Sequence, residues 1–209
     1  MFIGARGCWK KRNVPVQKDM YDMVVLALGG NIASDVGEVA TTIGRAAADL
    51  SASGVEIVAK SKLYETPCFP VGAGPDFLNA ALLCSTRLAP PALLALLHAT
   101  ETKYGRKRGA RWSERTLDID IIAMDGNVLP DTATFQAWYG LSLDQQKCET
   151  PDQLIVPHPR LQDRAFVLVP MADVAPDWHH PILGLSVRTM LQQLPRAELA
   201  AVTAIQNVW

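Results

Sequence analysis

Two strand-like runs, VEIVAKSKLYET (residues 55–66) and FLNAALLCSTR (residues 77–87), are separated only by the Pro/Gly stretch PCFPVGAGPD. No helical pattern intervenes. Strands that follow one another directly exclude a doubly wound parallel sheet, in which strands and helices alternate. Upstream, MVVLALGGN (residues 23–31) is a short apolar strand breaking at paired glycines. Ser34 is placed to cap a helix, with Asp35 and Glu38 favoured by the dipole of its first turn; Val36, Val39, Ile43, Ala47 and Leu50 then recur at helical spacing as far as Gly54. Downstream, Pro90 and Pro91 suit a helix start, Leu93, Leu94, Leu97, Glu101 and Tyr104 follow at helical spacing, and Gly105 is a stop.

The strand holding LDIDIIAM comes next. Residues 128–153 have weak periodicity and are expected to be a long loop or insertion, centred on 132–152. IVPHPRLQDRAFVLVPMADVAPDW returns to a strand-then-helix pattern, and LSVRTMLQQL (residues 185–194) is a final short amphipathic helix. The order is therefore β-α-β-β-α-β, then a further strand and helices. That is an α+β, ferredoxin-like split βαβ pattern: a mostly antiparallel sheet covered by helices in three α-β-α layers.

Residues 23–209 are read as one domain of ordinary soluble composition, 49% hydrophobic and 20% charged. Residues 1–22 lack apolar periodicity and are read as a disordered extension or the product of an upstream start. No run reaches membrane-spanning length. A net charge of −1 gives no global field for nucleic acid or membrane, so an anion site must come from local clustering. Cys8, Cys68, Cys84 and Cys148 form no C-x-x-C pair, which reads as reduced thiols in the cytoplasm.

Local clustering is what RWSERTLDIDIIAM provides. Alternate strand residues share a face, so Leu117, Ile119 and Ile121 turn inward while Asp118 and Asp120 stand together on the other side. Paired carboxylates repel unless a cation or a proton settles them, so removing either should relieve the metal-free protein. Mg²⁺ held by one or two carboxylates plus substrate phosphates is one resolution; a solvated polar face is the other. The cations Lys103, Arg106, Lys107, Arg108, Arg111 and Arg115 precede the pair. A polyphosphate bridging metal and guanidinium groups would use both clusters; a solvated charge run would use neither.

Phe77 and Asn79 share a strand face, where an aromatic ring and an amide can stack a flat heterocycle and read its edge, or simply be core and edge residues. VPHPRLQDRAF adds His158, held between prolines, with Arg160, Arg164 and Phe166.

Taken together, RTLDIDII, ALGGNI, YETPCF, PDFLNA, ETKYGRKRGARW and VPHPRLQDRAF resemble, in order, the motifs of the 6-hydroxymethyl-7,8-dihydropterin pyrophosphokinase family. The resemblance runs over nearly the whole chain, from about residue 24 to 194. It implies a Mg²⁺-dependent transfer of pyrophosphate from ATP to the hydroxymethyl group of the pterin, releasing AMP, in folate biosynthesis. By the same resemblance, Asp118 and Asp120 hold two Mg²⁺ ions. Glu101, Arg106, Arg108, Arg115, His158 and Arg164 face ATP, with Arg106 and Arg115 catalytic. Thr66, Pro67, Phe69, Phe77, Asn79, Trp112 and Phe166 line the pterin pocket. The partners expected are ATP and the pterin, with no nucleic acid or membrane, and a monomer.

Two other readings share some of these features. A nucleotidyltransferase also joins a glycine motif to D-x-D, but there the acids closely follow the glycines, whereas Gly29-Gly30 and Asp118 are far apart in this sequence. An RNA-binding module can use a split βαβ sheet, but it expects exposed aromatics and gains nothing from paired aspartates.

Overall fold

The protein is described from a computed structural model over residues 22–68, 72, 74–106, 114–142, 145, 149–205 and 209. The expectations on residues 1–21, Phe69, Lys107, Arg108, Arg111 and Trp112, and on Cys8 and Cys148, lie outside those residues.

The elements run β1 (Asp22–Gly30), α1 (Val39–Ala52), β2 (Val55–Lys60), β3 (Leu63–Thr66), β4 (Phe77–Thr86), α2 (Pro90–Lys103), β5 (Asp118–Met124) and α3 (Thr132–Tyr139). A single 3₁₀ turn (Leu161–Asp163) follows, then α4 (Ala165–Val174), α5 (Val187–Gln193), α6 (Arg196–Ala200) and β6 (Thr203–Ile205). The six strands form one sheet in the order β5-β1-β4-β3-β6, with β2 also on β4, and every pairing is antiparallel.

β1 is apolar on both faces because both are covered. Val24, Leu26 and Leu28 join Ile43 and Leu50 of α1 and Leu93 and Leu97 of α2 in one core. Val25 turns the other way, with Ala81 and Leu83 of β4, to meet Leu168 and Met171 of α4 and Val187 and Met190 of α5. An antiparallel sheet sandwiched in this way reads as a nearly continuous hydrophobic run rather than a strict alternation. Leu26 and Leu82 are fully buried, and truncating a leucine in such a site typically costs about 2–5 kcal/mol. The result is the expected α+β, three-layer arrangement. Among the described residues no helix is long and apolar enough to cross a membrane.

Four local expectations are corrected. The run over 55–66 is two strands, not one. The ladder slips between Ile57 and Ala59. At the break, the Ser61 N–H donates to the Ala81 carbonyl (2.9 Å) while its Oγ accepts the Ala81 N–H (2.9 Å), so a bend is made without losing β4.

Ser34 does not cap α1. It closes a turn with Gly37 and bonds Thr42 (2.7 Å), and the helix starts only at Val39, leaving Asp35 and Glu38 outside its first turn.

The stretch before His158 is no strand but one bridge, Leu129 to Val156, because Pro157 and Pro159 have no N–H to extend a ladder.

The expected loop at 128–153 contains α3. Asp131 caps it by accepting the Thr134 N–H (2.9 Å), and Phe135 buries its one apolar anchor. At α2 the expected start and stop hold: it begins at Pro90, and Gly105 follows it at φ 82°, a left-handed conformation that glycine adopts freely.

Candidate active site

β5 fixes the acidic pair. Ile119 is 2% exposed and joins Leu117 and Ile121 in the α1/α2 core, so Asp118 and Asp120 face the opposite side of the sheet. The main chain of Ile119 is tied down as well: its N–H donates to Glu101 Oε1 (2.8 Å). Glu101 ends the last buried turn of α2 and is 1% exposed. Leaving α2, the chain returns Arg106 onto this carboxylate as an ion pair. Arg106 also reaches Asp118 Oδ1 (2.5 Å), and Arg115 pairs with Asp118 Oδ2. Arg106 and Arg115 thus converge on one aspartate.

Electrostatics distinguishes the two acids. Asp118 is compensated by both guanidinium groups. Asp120 is exposed on the surface of the sheet. Partial desolvation by the surrounding protein, and then the charge of Asp118, push its carboxyl above the usual range, against the pull of Arg164, Arg106 and Arg115. Burial likewise lifts Glu101 to about 7, although the Ile119 N–H and Arg106 favour its charge. Its second oxygen, Oε2, is buried without a hydrogen-bond partner among the described residues.

His158 is brought to β5 through its main chain, whose N–H donates to the Ile122 carbonyl (2.9 Å). Its Nδ1 accepts the Arg160 N–H (3.1 Å), which assigns the ring proton to Nε2. Burial, then the charge of Arg164, push the imidazole down to about 3, so it is neutral at ordinary pH and works by hydrogen bonding. Arg164 immediately precedes α4; its guanidinium lies 5.6 Å from the Phe166 ring centre, and Phe166 is 41% exposed.

On the other side of β1, Asn79 Nδ2 donates to Thr66 Oγ1 (2.7 Å), and both residues are buried. Thr66 pairs with Phe77 across β3 and β4. Cross-strand partners share a face, so Thr66, Phe77 and Asn79 look out on the side that carries the acids. Pro67 is exposed just after β3. The rings of Phe77 and Phe166 make no contact with each other among the described residues.

Gly29 joins the halves: it is the register partner of Asn79 on β4 and of Asp118 on β5. The amide and the acid are therefore two strand spacings apart, about 10 Å. A Cβ on Gly29 would lie 2.8 Å from Asn79 Oδ1. The glycines that are remote from Asp118 in sequence are thus beside it in space, and sequence distance alone did not separate this site from a nucleotidyltransferase.

One site residue escaped sequence reasoning. Asn31 contacts both Arg115 and Pro75; the available signal was its place directly after the paired glycines at a strand end.

A sheet with a dicarboxylate on one central strand, guanidinium groups gathered over it and an amide–hydroxyl pair two strands away is suited to holding a polyphosphate against a polar ring system. The comparisons give this class its family. The family model for 7,8-dihydro-6-hydroxymethylpterin-pyrophosphokinase (HPPK) matches residues 25–176. The 2-amino-4-hydroxy-6-hydroxymethyldihydropteridine pyrophosphokinase of Synechocystis sp. is 36% identical over 171 residues, 81% of this chain and 75% of that protein. The enzyme of the same name from Methylorubrum extorquens is 35% identical over 170 residues, 81% of this chain and 91% of that protein. The chain belongs to the HPPK family.

Among solved structures, a crystal structure of an HPPK-DHPS in complex with substrates superposes with a TM-score of 0.58 at 15% identity, over 83% of this chain. A Plasmodium falciparum HPPK-DHPS with pteroate gives 0.57 at 16% identity, over 87% of this chain. These likenesses concern the fold alone, and the chain spans less than half of either protein, 43% and 45%.

Proposed function

We infer that this chain transfers the pyrophosphoryl group of ATP to the hydroxymethyl oxygen of 6-hydroxymethyl-7,8-dihydropterin, releasing AMP, as a step of folate biosynthesis. The observation that carries the reading is the row Asn79–Gly29–Asp118, which sets a heterocycle-reading amide and an acid–guanidinium cluster on one face of the sheet.

The donor set fits Mg²⁺. Asp118 and Asp120 offer adjacent hard oxygens, and the charge of Asp118 helps raise the Asp120 pKa, a repulsion that a divalent cation between them would offset. No group of three acids, histidines or cysteines placed to hold a metal occurs among the described residues, but Mg²⁺ needs only one or two carboxylates when phosphates complete its shell. Two Mg²⁺ ions on these aspartates, when bound, would neutralise phosphate charge and stabilise the attacking and bridging oxygens.

The remaining work falls to the chain's own groups. Arg106 and Arg115, which neutralise Asp118 here, can exchange the carboxylate for phosphate oxygens without leaving the site. Arg164, backed by Asp120, adds a further cation, and neutral His158 offers its Nε2 proton to the nucleotide side. Glu101 fixes both Arg106 and the Ile119 main chain, so it positions the cluster from beneath. Asn79 and Thr66 read the pterin edge, with Phe77 and Phe166 against its faces and Pro67 at the rim. Arg108, Trp112 and Phe69 belong to the same assignment by family resemblance. Such a transfer depends on positioning and charge neutralisation more than on a strong base. The expected form is a monomer in the cytoplasm, a compartment in which the buried Cys84 thiol stays reduced.

The test is a turnover assay with ATP, Mg²⁺ and the hydroxymethyl dihydropterin. AMP formed in step with pterin diphosphate supports the reading; release of pyrophosphate, or unconsumed ATP, contradicts it.

A further inference from the structure

Asn31 stands where the two halves of the site meet, and each end of its amide is engaged. It directly follows β1 and is buried. Its Oδ1 accepts the main-chain N–H of Arg115 (2.8 Å), a residue 84 positions away. Its Nδ2 donates to the main-chain carbonyl of Pro75 (3.2 Å), 44 positions away. One partner is a donor only and the other an acceptor only, so the orientation of the amide is fixed. The Asn31 main chain adds a second tie, its N–H donating to the Arg115 carbonyl (2.9 Å).

The glycine before it permits this closeness. A Cβ on Gly30 would lie 2.7 Å from the Thr116 carbonyl oxygen and 3.2 Å from that of Arg115. Neither tethered segment is held by its own secondary structure. Pro75 lies in the approach to Phe77, where β4 begins, and Arg115 in the approach to Asp118, where β5 begins. One leads to the heterocycle-reading side chains and the other carries a guanidinium of the anion cluster.

We propose that Asn31 is a positioning residue that couples the two substrate sites, transmitting the ordering of Arg115 to the Pro75 segment and back. The proposal rests on the pyrophosphokinase reading, which assigns Arg115 to the nucleotide and Phe77 and Asn79 to the pterin. A nucleotide that fixes Arg115 fixes the Asn31 amide, and a fixed amide holds Pro75 where β4 enters the site. By linkage, a bound pterin must then tighten the nucleotide by the same factor. An asparagine that only stabilised the fold would shift the two affinities without connecting them.

Two substitutions separate the ties. Asn31→Asp keeps an oxygen for the Arg115 N–H but sets a second oxygen against the Pro75 carbonyl. Asn31→Ala removes both contacts. The measurement is pterin affinity with and without Mg²⁺ and a non-hydrolysable ATP analogue, in wild type and both variants, with Tm recorded for each.

In the wild type the nucleotide should tighten the pterin by a factor in the usual range of such couplings, on the order of 5–150-fold. In Asn31→Asp that factor should fall toward one, while affinity for the nucleotide alone stays within about threefold and Tm stays near wild type. Asn31→Ala should lose the coupling too; if it does not fold, Asn31→Asp decides alone. A wild type without tightening, or an Asn31→Asp protein with the wild-type factor, overturns the proposal. So does a fall in both separate affinities at an unchanged factor. Failure of the underlying reading looks different: the wild type would then make no AMP from ATP and pterin.

Discussion

Asn79 and Asp118 are partners of the same residue, one on each side of Gly29, so the amide and the acid are held in one row across β4, β1 and β5. The row has no slack at its centre, because a Cβ on Gly29 would come within 2.8 Å of Asn79 Oδ1. Gly29→Ala should therefore displace the Asn79 amide while sparing the guanidinium cluster. Misplacing a hydrogen bond of this kind costs about 1–3 kcal/mol, so pterin KM should rise roughly ten-fold or more. ATP affinity should change little. Steady-state kinetics against each substrate checks this; equal losses for both would mean that the row is only structural.

Phe77→Ala and Asn79→Ala test the pterin side directly. Loss of a stacking ring removes on the order of 1 kcal/mol, and an unread heterocycle edge about 1–3 kcal/mol. Asn79→Ala also leaves Thr66 Oγ1 without its donor. Calorimetric titration should show weaker pterin binding beside near-normal ATP binding. If ATP binding weakens in parallel, the strand serves the core rather than the ligand.

Glu101 predicts a pH dependence with a definite sign. Its folded pKa, about 7, lies above the ordinary value of 4.5, first because it is buried. Between these values the folded state binds more protons than the unfolded one, so stability falls as pH rises through that window. Glu101→Gln removes the titration and still offers an oxygen to the Ile119 N–H. Wild type should therefore lose Tm relative to Glu101→Gln between pH 5 and pH 8, by on the order of a few degrees. Because Asp120 titrates in both proteins, the difference reports mainly Glu101. A wild type that gains on the variant over this range would reverse the assignment.

On the proposed assignment of Arg115 to the phosphates, Arg115→Ala should lower turnover more than it weakens ATP binding, because such a guanidinium is best used as charge shifts in the transition state. The structure adds a qualification. The tie to Asn31 runs through the Arg115 main chain, so the substitution leaves that tie intact. Single-turnover rates beside nucleotide affinities separate the effects; a loss confined to affinity, with kcat unchanged, would make Arg115 a ground-state anchor.

Much of this was legible in the sequence because it follows from period and punctuation. The alternation around Asp118 and Asp120 placed them on a face opposite Ile119, and Pro90 and Gly105 bounded α2. Ser34 misled because a good capping residue can close a turn with Gly37 as readily as open a helix. α3 was missed because its burial rests mainly on Phe135, too little for a period to show. Short edge strand β6 exists only through its pairing with β3, which no local pattern states. For the same reason the neighbours of Gly29 and the double engagement of Asn31 could not be read locally: each depends on which strand lies alongside.

The central claim is that Asp118 and Asp120 are metal ligands that bring ATP onto the sheet, and the structure refines how to test it. The sequence suggested that removing either acid would relieve repulsion. The repulsion belongs to the pair, but Asp118 also holds Arg106 and Arg115 in ion pairs that its removal would break. In the absence of metal, Asp120→Ala should therefore keep or gain Tm, and Asp118→Ala should lose some by leaving two guanidinium groups unpaired. The decisive measurement is ATP affinity with and without Mg²⁺ in wild type, Asp118→Ala and Asp120→Ala, each verified as folded by its melting curve. The account predicts a marked Mg²⁺-dependent tightening in the wild type, lost in both variants. Full metal-dependent tightening in either variant would contradict it and reduce the pair to a solvated strand face.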